Sequence, residues 1–421
     1  MQRYAIAPGA FLTEVPGDKF KRGKISIHLI TPGSRENATP LALLPHVLDR
    51  RCAAIPDPTE LARRLFALYG ADLSSESYVV GANRVLSFSI AGLKDAYALG
   101  GENLTGQYLE LLCNILFEPK LAAGVFEADD VAIEKDKQAD FLRSEMNDKR
   151  GYCLRQTRRK LYGDSPLGIE SAGYLEDIDP LTAAGIHADY QHLLQHAQVE
   201  VQVCGIDGQA AAQAVAWRLE KLPRTPLPLA TAPPLGKPAE YKHYTEPMNT
   251  VQGKLCIVST GAPLPDGKGE AVMRIASALY GGLPTSRLFM NVREKQSLCY
   301  YCAAAYGYYG GTLTVDSGVE HAMAARAAEA ILKELEALQR EPVGPEELAG
   351  AKSYMRSIMD AGKDSPDVLM NWAFNEWLRG TNRSLDEVLR LTGAVTAEEV
   401  RDALAAFSPA VEYVITGKEG A

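Results

Sequence analysis

The sequence predicts an α+β fold of two similar domains, each a mainly antiparallel sheet with helices on one side, joined by a Pro-rich linker. Three observations predict it: a proline-rich stretch near the middle of the chain, echoes of one half in the other, and long strands separated by grouped helices. The expected domains are residues 1–221 and 241–421, with the linker at 222–240. A stiff linker would let the two halves close on each other like a clam.

The linker is the clearest change of composition along the chain. Residues 222–240 read LPRTPLPLATAPPLGKPAE, and the six prolines in this stretch deny hydrogen-bond donors to a helix or a sheet. This composition is typical of a semi-rigid connection between domains.

Three segments of the first half recur in the second half in the same order, 211 to 214 residues later. Each of the two sequences ALYG, at 67–70 and 278–281, closes an amphipathic stretch. Threonines 182 and 396 each stand where a helix N-cap is expected, and 199–205 and 411–417 each alternate like a strand that ends at glycine. Three echoes at nearly one offset indicate an internal duplication.

Periodicity predicts the main elements of both halves. In the first half, strands are expected at 24–31, 78–92 and 199–205, and helices at 58–68, 108–116 and 127–148. In the second half, strands are expected at 251–260, 298–309 and 411–417, and helices at 270–280, 321–339 and 345–359.

Composition excludes several classes of protein. The chain has 421 residues, of which 46% are hydrophobic and 23% charged, so it is expected to fold around a sizeable core. Its net charge of −9 has the wrong sign for a protein that binds nucleic acid. Seven cysteines are too few and odd in number for a secreted disulfide framework, and no stretch of 18 apolar residues is present. We therefore expect a cytoplasmic protein without membrane segments.

The first candidate for chemistry is His46-Val47-Leu48-Asp49-Arg50, in a helical stretch after Pro40. Two ligands spaced by four residues lie on one face of a helix and can hold Zn²⁺ there. Here the second ligand position is Arg50, whose guanidinium has no lone pair to donate and remains positively charged. The residues alone therefore favour an ordinary helix carrying one histidine.

Two further patterns favour structural explanations. His192 and His196 have the spacing of metal ligands, but Gln195 stands where a general base would be needed. A histidine near a helix C-terminus is favoured by the helix dipole, although an incidental metal remains an alternative. Cys299 and Cys302 form a C-x-x-C in a predicted strand, where alternation would place the two sulfurs on opposite faces. They are expected to be incidental.

Residues 286–300, SRLFMNVREKQSLCY, form the last candidate. A helix is predicted to end near Lys295, and a strand begins at Leu298 after a tight turn. This arrangement would bring Arg293 and Tyr300 to one side of the turn, where a guanidinium and a phenol can hold a peptide carbonyl or carboxylate. A solvated helix end with a half-buried tyrosine is the alternative.

This last run closely resembles the C-terminal signature of the M16 peptidases, the family of insulinase and the mitochondrial processing peptidase. Further segments follow in family order, namely residues 46–50, 61–73, 165–168 and the strand end at Gly205, so the resemblance covers nearly the whole chain. It implies a duplicated M16-type α/β fold. The LYGA turn at 68–71 is most similar to that of the bacterial non-catalytic members.

The departures from the family pattern concern the metal. The family's His-x-x-Glu-His is similar to His46 through Arg50, so the first ligand is kept, the general base is shortened to Asp49, and the second ligand is lost. The third ligand of the family, a Glu on the long helix, is expected near 142–144, with Arg143 as its counterpart. By contrast, the family's substrate-binding Arg and Tyr carry over to Arg293 and Tyr300 at the family spacing.

The resemblance implies a non-catalytic, peptide-binding subunit of a two-chain M16 zinc metallopeptidase. Such a chain has no catalytic residues and no cofactor of its own, and zinc is expected only in a partner subunit, to whose active site it supplies Arg293 and Tyr300. Two alternatives stay open: a non-proteolytic assembly scaffold, and an active peptidase with relocated ligands such as His192 and His196. A homodimer remains possible where no zinc-bearing partner is present.

Overall fold

The computed structural model describes residues 1–261 and 266–417. The strands, in chain order, are β1 (Gln2–Ala7), β2 (Ala10–Val15), β3 (Arg22–Pro32), β4 (Asp72–Val80), β5 (Asn83–Leu93), β6 (Leu121–Ala122), β7 (Val125–Phe126), β8 (Gln198–Cys204), β9 (Lys242–Met248), β10 (Gly253–Thr260), β11 (Cys299–Gly307), β12 (Thr312–Val319) and β13 (Ser408–Gly417). The α-helices are α1 (Arg35–Leu48), α2 (Pro58–Ala67), α3 (Leu104–Phe117), α4 (Ala128–Ser144), α5 (Lys149–Tyr162), α6 (Ala183–His196), α7 (Gly208–Leu219), α8 (Asp266–Ser277), α9 (Ala324–Arg340), α10 (Pro345–Gly362), α11 (Pro366–Leu378), α12 (Leu385–Gly393) and α13 (Ala397–Ala405).

The chain divides into two compact units. The first unit comprises Met1–Arg143, Ile169–Thr231 and Lys363–Asn382, and the second comprises Ser144–Gly168, Ala232–Gly362 and Arg383–Ala421. One of the divisions between the units follows Thr231, which lies in the stretch 222–240. The two units nevertheless differ from the predicted continuous halves, because each contains a segment from the other half of the chain.

The duplication is visible in the order of the strands. The first sheet runs β1-β2-β8-β3-β5-β4, and the second runs β9-β13-β10-β12-β11 in the same sense. In each sheet a single parallel pair, β2 with β8 and β9 with β13, accompanies antiparallel neighbours. Apart from the additional strand β1, the two sheets share one topology, which confirms the predicted mainly antiparallel α+β architecture.

Each sheet is covered by a main helical layer on one face, as expected. In the first unit, alternate residues of β3 such as Ile25, Ile27 and Leu29 join residues of α1, α3, α6 and α7 in one core. In the second unit, Leu255 and Ile257 of β10 pack with α8, α9 and α13. Period-two alternation of apolar residues selects these faces.

The exchanged segments cover the opposite faces. Phe374 of α11 packs with Ile30 and Val85 in the first unit. Cys153 of α5 packs with Cys256 and Val258 in the second unit. These contacts are the physical reason for the exchange, since each sheet has apolar side chains on its second face that one further helix removes from water.

Candidate functional site

The turn after α1 holds the residues that the resemblance marked as a degenerate metal site. Ser34 caps α1 through a capping box with Asn37, and the helix ends at Leu48 with Asp49 as its C-cap residue. His46 therefore lies in the last turn of α1, and Arg50 and Arg51 follow directly.

Arg50 is held by two acidic residues of α4. Its Nε donates to Oδ1 of Asp130 at 2.9 Å, and its Nη1 donates to Oε1 of Glu134 at 2.8 Å. Arg51 adds a hydrogen bond to the other oxygen of Asp130 at 2.7 Å. The carboxylates of Asp130 and Glu134 are only 7% and 6% exposed, so the network joins two helices in a largely water-excluded place.

The electrostatics of this network favour a charged arginine. Burial acts to lower the pKa of Arg50, but its hydrogen bonds to Glu134 and Asp130 outweigh this effect and the pKa is raised. Burial raises the pKa of Asp49, whose carboxylate accepts a hydrogen bond from the hydroxyl of Ser75 on β4. Asp49 thus accepts a local hydrogen bond at the start of the turn after α1.

These residues do not fit a zinc ion. Glu134 Oε1, the oxygen that faces the turn, accepts from both Arg50 and Lys137, each at 2.8 Å. The positive charges of Arg50, Arg51 and Lys137 already neutralise the local carboxylates, so no negative charge is left to balance a divalent cation. Within 1–261 and 266–417, no cluster of three or more His, Cys, Asp or Glu side chains is arranged to hold a metal.

Arg143, the predicted counterpart of the third ligand, lies apart from the Arg50 network. Arg143 lies at the C-terminal end of α4, is 61% exposed and pairs with Asp140 at 3.0 Å. Nine residues of helix, about 13 Å along its axis, separate it from Glu134. The residues of α4 that contact the turn after α1 are Asp130 and Glu134. Their spacing of four residues places them on one face of the helix, but the sequence alone does not show which residues that face contacts.

The two histidines of α6 lie where the sequence predicted them, in the last turns of that helix. Their rings are 4.5 Å apart between centroids, and Nδ1 of His196 is 2.9 Å from the carbonyl oxygen of Thr225 in the linker. Two imidazoles without a third donor make a weak site at most. This arrangement gives no support to relocated ligands.

The segment before β11 is the second candidate region, and it is built on two π-helical turns. Residues Ala278–Gly282 and Leu288–Glu294 adopt this conformation, and the amide of Lys295 donates to the carbonyl of Met290, five residues earlier, at 3.1 Å. π-Helical turns are rare in proteins as a whole, and those that occur often lie at functional sites. The predicted end of a helix near Lys295 is confirmed.

Neighbouring elements fix this segment firmly. Arg287 makes two hydrogen bonds to the carboxylate of Glu347 on α10, at 2.6 and 2.8 Å. Asn291 donates to Glu334 on α9 at 2.8 Å. Gly281 lies so close to β11 that a Cβ atom there would approach the backbone nitrogen of Ala304 to 2.5 Å. The position of the π-helical turns is therefore determined by packing and by ion pairs.

The turn that follows separates Arg293 from Tyr300. Ser297 adopts a left-handed backbone with φ of 52°, and its amide donates to the carbonyl of Arg293 at 3.0 Å. The Arg293 side chain is 39% exposed, stacks on Phe289 at 4.6 Å and has Nε 3.7 Å from Oε1 of Glu294. Tyr300 is 55% exposed, with its hydroxyl 3.5 Å from Oε1 of Glu320. Both side chains keep donors accessible to a ligand, although each has its own neighbour.

One prediction about this region is wrong. A β-bulge at Tyr300 adds a residue to β11 opposite β12, so Cys299 and Cys302 lie on the same face of the sheet and not on opposite faces. A simple count of alternation missed it, because a bulge is set by the pairing of two strands and not by one strand's sequence.

Comparisons with known proteins show similarity to peptidases and their inactive relatives. Residues 180–355, which include Arg293 and Tyr300, match the family model described as the peptidase M16 inactive domain. The chain is 25% identical over 408 residues to the probable inactive metalloprotease YmfF of Bacillus subtilis, covering 97% of this chain and 96% of that protein. It is 28% identical over 159 residues to the uncharacterized zinc protease YmxG of the same species, covering 37% and 39%.

Solved structures share the whole fold. A conserved protein from Enterococcus faecalis superposes with a TM-score of 0.89 at 23% identity, covering 100% of this chain and 99% of that one. A peptidase M16 inactive domain from Pseudomonas fluorescens gives 0.80 at 18% identity, with 99% and 98% covered. Among the described residues, no helix has both the length and the apolar character needed to cross a membrane. The shared architecture, the matched inactive-domain model and the probable inactive metalloprotease together show that this chain is similar to members of the M16 peptidase family, among them proteins described as inactive.

Proposed function

We propose that this chain is a non-catalytic, peptide-binding subunit of a two-chain M16 zinc metallopeptidase. The observation that carries the proposal is the ion-pair network of Arg50 with Asp130 and Glu134, at the residue where the resemblance implies a lost metal ligand, in a chain that still presents Arg293 and Tyr300 to solvent. Arg293 lies on the π-helical turn Leu288–Glu294, and Tyr300 lies at the start of β11, so both exposed donors stand on ordered elements.

The edge of the second sheet supplies the other requirement of peptide binding. Tyr300 belongs to β11, which is the last strand of its sheet. An extended peptide can add to such an edge through backbone hydrogen bonds, which give affinity with little demand on sequence. The guanidinium of Arg293 and the phenol of Tyr300 then fix a peptide carbonyl or carboxylate beside the metal of the partner.

The test is reconstitution with a zinc-bearing homologue, followed by cleavage of a fluorogenic peptide. We expect no cleavage by this chain alone, and cleavage by the pair that falls at least ten-fold with Arg293→Ala or Tyr300→Phe. Arg340→Ala and Tyr354→Phe are matched controls, because both side chains are exposed in the same unit, and they should leave turnover unchanged. Chelator-sensitive cleavage by this chain alone would refute the proposal. Unchanged turnover in both site variants would favour the assembly scaffold.

A further inference from the structure

Cys299 and Cys302 open the edge strand β11 and lie on either side of its bulge. Cys299 is opposite Val319, Tyr301 is opposite Gly318 and Cys302 is opposite Ser317, which leaves Tyr300 as the additional residue. The bulge therefore shortens the effective spacing of the two cysteines to that of alternate residues, and their side chains share one face.

The packing around the strand agrees with this assignment. Cys302 belongs to the buried core of the second unit, and Cys299 packs against the same core. The side chain of Tyr301 instead contacts Asp316, with its hydroxyl donating at 3.1 Å. Cys302 is buried, whereas Cys299 is only partly buried and so is the thiol of the pair that solvent reaches.

The two thiols interact with each other. Each thiol shifts the pKa of the other. The hydrogen bond from Cys302 and the positive charge of Arg293 lower the pKa of Cys299. The same hydrogen bond and burial raise the pKa of Cys302. An accessible, more acidic thiol beside a buried, protonated one is the arrangement of an attacking and a resolving cysteine.

We propose that Cys299 and Cys302 form a reversible disulfide, with Cys299 as the attacking thiol and Cys302 as the resolving thiol. The oxidant is a small-molecule disulfide such as glutathione disulfide. The thiolate of Cys299 attacks one of its sulfurs, the S–S bond breaks, and one glutathione thiolate leaves and takes up the proton that Cys299 released.

The second step closes the bond within the strand. In the mixed disulfide Cys299 no longer carries a charge or offers a hydrogen bond that holds the proton on Cys302. Cys302 gives its proton to solvent and attacks Sγ of Cys299, and the second glutathione thiolate leaves and is protonated. Two cysteine thiols are thereby oxidised, and one glutathione disulfide is reduced to two glutathione molecules.

The bulge makes the bond geometrically accessible. Alternate residues of a strand have Cα atoms about 6.7 Å apart, near the upper end of the ~4.4–6.8 Å that disulfides span. Closing the bond would draw the two cysteines together around Tyr300 and change how that side chain is presented. This last consequence rests on the proposed function, whereas formation of the disulfide does not.

The experiment treats the native full chain with glutathione disulfide, alkylates the remaining thiols and maps the tryptic peptide 296–326, which contains both cysteines. We expect this peptide to lose the mass of two hydrogen atoms and two alkylation sites, and to regain them after reduction. The other five cysteines, which are all buried, should remain thiols: Cys52, Cys113, Cys153, Cys204 and Cys256.

Variants separate the two roles. Cys302→Ser should retain a glutathione adduct on Cys299, Cys299→Ser should acquire neither adduct nor disulfide at this strand, and Cys153→Ser should behave like the native chain. A native chain that keeps a stable adduct on Cys299, or stays reduced, would overturn the proposal. Because no partner subunit or peptide takes part, this result is independent of the outcome of the reconstitution test.

Discussion

The guanidinium of Arg50 donates to the carboxylate of Glu134 at 2.8 Å, and this contact joins the turn after α1 to the middle of α4. The same side chain reaches Asp130, so one arginine bridges two acidic residues that are almost fully buried. These charge-assisted hydrogen bonds make the turn after α1 a stabilising contact with α4.

Arg50→Ala should lower the free energy of unfolding by about 2 kcal/mol, because two buried carboxylates each lose a charged hydrogen-bond donor and keep only Arg51 and Lys137. Urea unfolding measures the change. Arg143→Ala is the matched control on α4: its exposed pair with Asp140 is worth less than about 0.5 kcal/mol. Equal losses in the two variants would show that the Arg50 network does not stabilise the first unit.

His28 should make the first unit sensitive to acid. Its ring lies against Phe374 of α11 at 4.4 Å, and burial lowers its pKa to about 4. The unfolded chain, with a histidine pKa of about 6.5, therefore binds a proton that the folded chain does not. Stability from this residue is fully present above pH ~6.5 and is lost as the pH falls toward 4.

The expected loss between pH 7.5 and pH 5 is about 2 kcal/mol. Urea unfolding at the two pH values should show this loss in the native chain and in the control variant His243→Gln, whose imidazole is 59% exposed. His28→Gln should show a smaller loss. If the pH dependence of this variant equals that of the native chain, His28 is not the group that titrates.

Gly281→Ala should disturb the π-helical turns, since the new Cβ would approach the backbone of β11 to 2.5 Å. Overpacking of this kind costs about 1–3 kcal/mol. Gly350→Ala is the control: nothing lies within 4 Å of a Cβ at this exposed position of α10, and alanine there should stabilise by up to about 1 kcal/mol. Thermal unfolding of both variants gives the comparison, and a neutral Gly281→Ala would contradict the close approach.

Glu347 should act as a positioning residue for Arg293. Glu347→Gln weakens the paired hydrogen bonds to Arg287, worth about 1 kcal/mol, so kcat/KM of the reconstituted pair should fall by about five-fold. The change should appear mainly as a higher KM, because peptide is held less well. Glu336→Gln, which removes an exposed pair with Arg340, should change neither constant. A purely structural role would lower stability with KM unchanged.

The sequence was sufficient for features that depend on local patterns. Alternation placed β3, β8 and β10 within about two residues of their observed limits, and the echoes between the halves correspond to two sheets of the same strand order. The proline-rich linker forms neither helix nor strand over 222–240. Each of these properties is encoded by residues close together in the chain.

Features that depend on distant partners were not predicted. The partners of Arg50 lie 80 and 84 residues further along the chain, and Arg143 was chosen by its place in the helix and not by the face it occupies. Single-strand periodicity also joined β4 and β5 into one strand at 78–92, although a turn at 81–82 separates them. The exchange of α5 and α11 likewise follows from apolar faces that only the assembled sheets create.

We propose that this chain holds no catalytic metal of its own, because the guanidinium of Arg50 pairs with Asp130 and Glu134 on α4. The most direct measurement is the zinc content of the purified chain after exposure to zinc and removal of excess, together with its peptidase activity without a partner. We predict less than one-tenth of an equivalent of zinc, and no cleavage that a chelator abolishes. One equivalent of zinc that is lost with His46→Ala, accompanied by chelator-sensitive cleavage, would contradict this account.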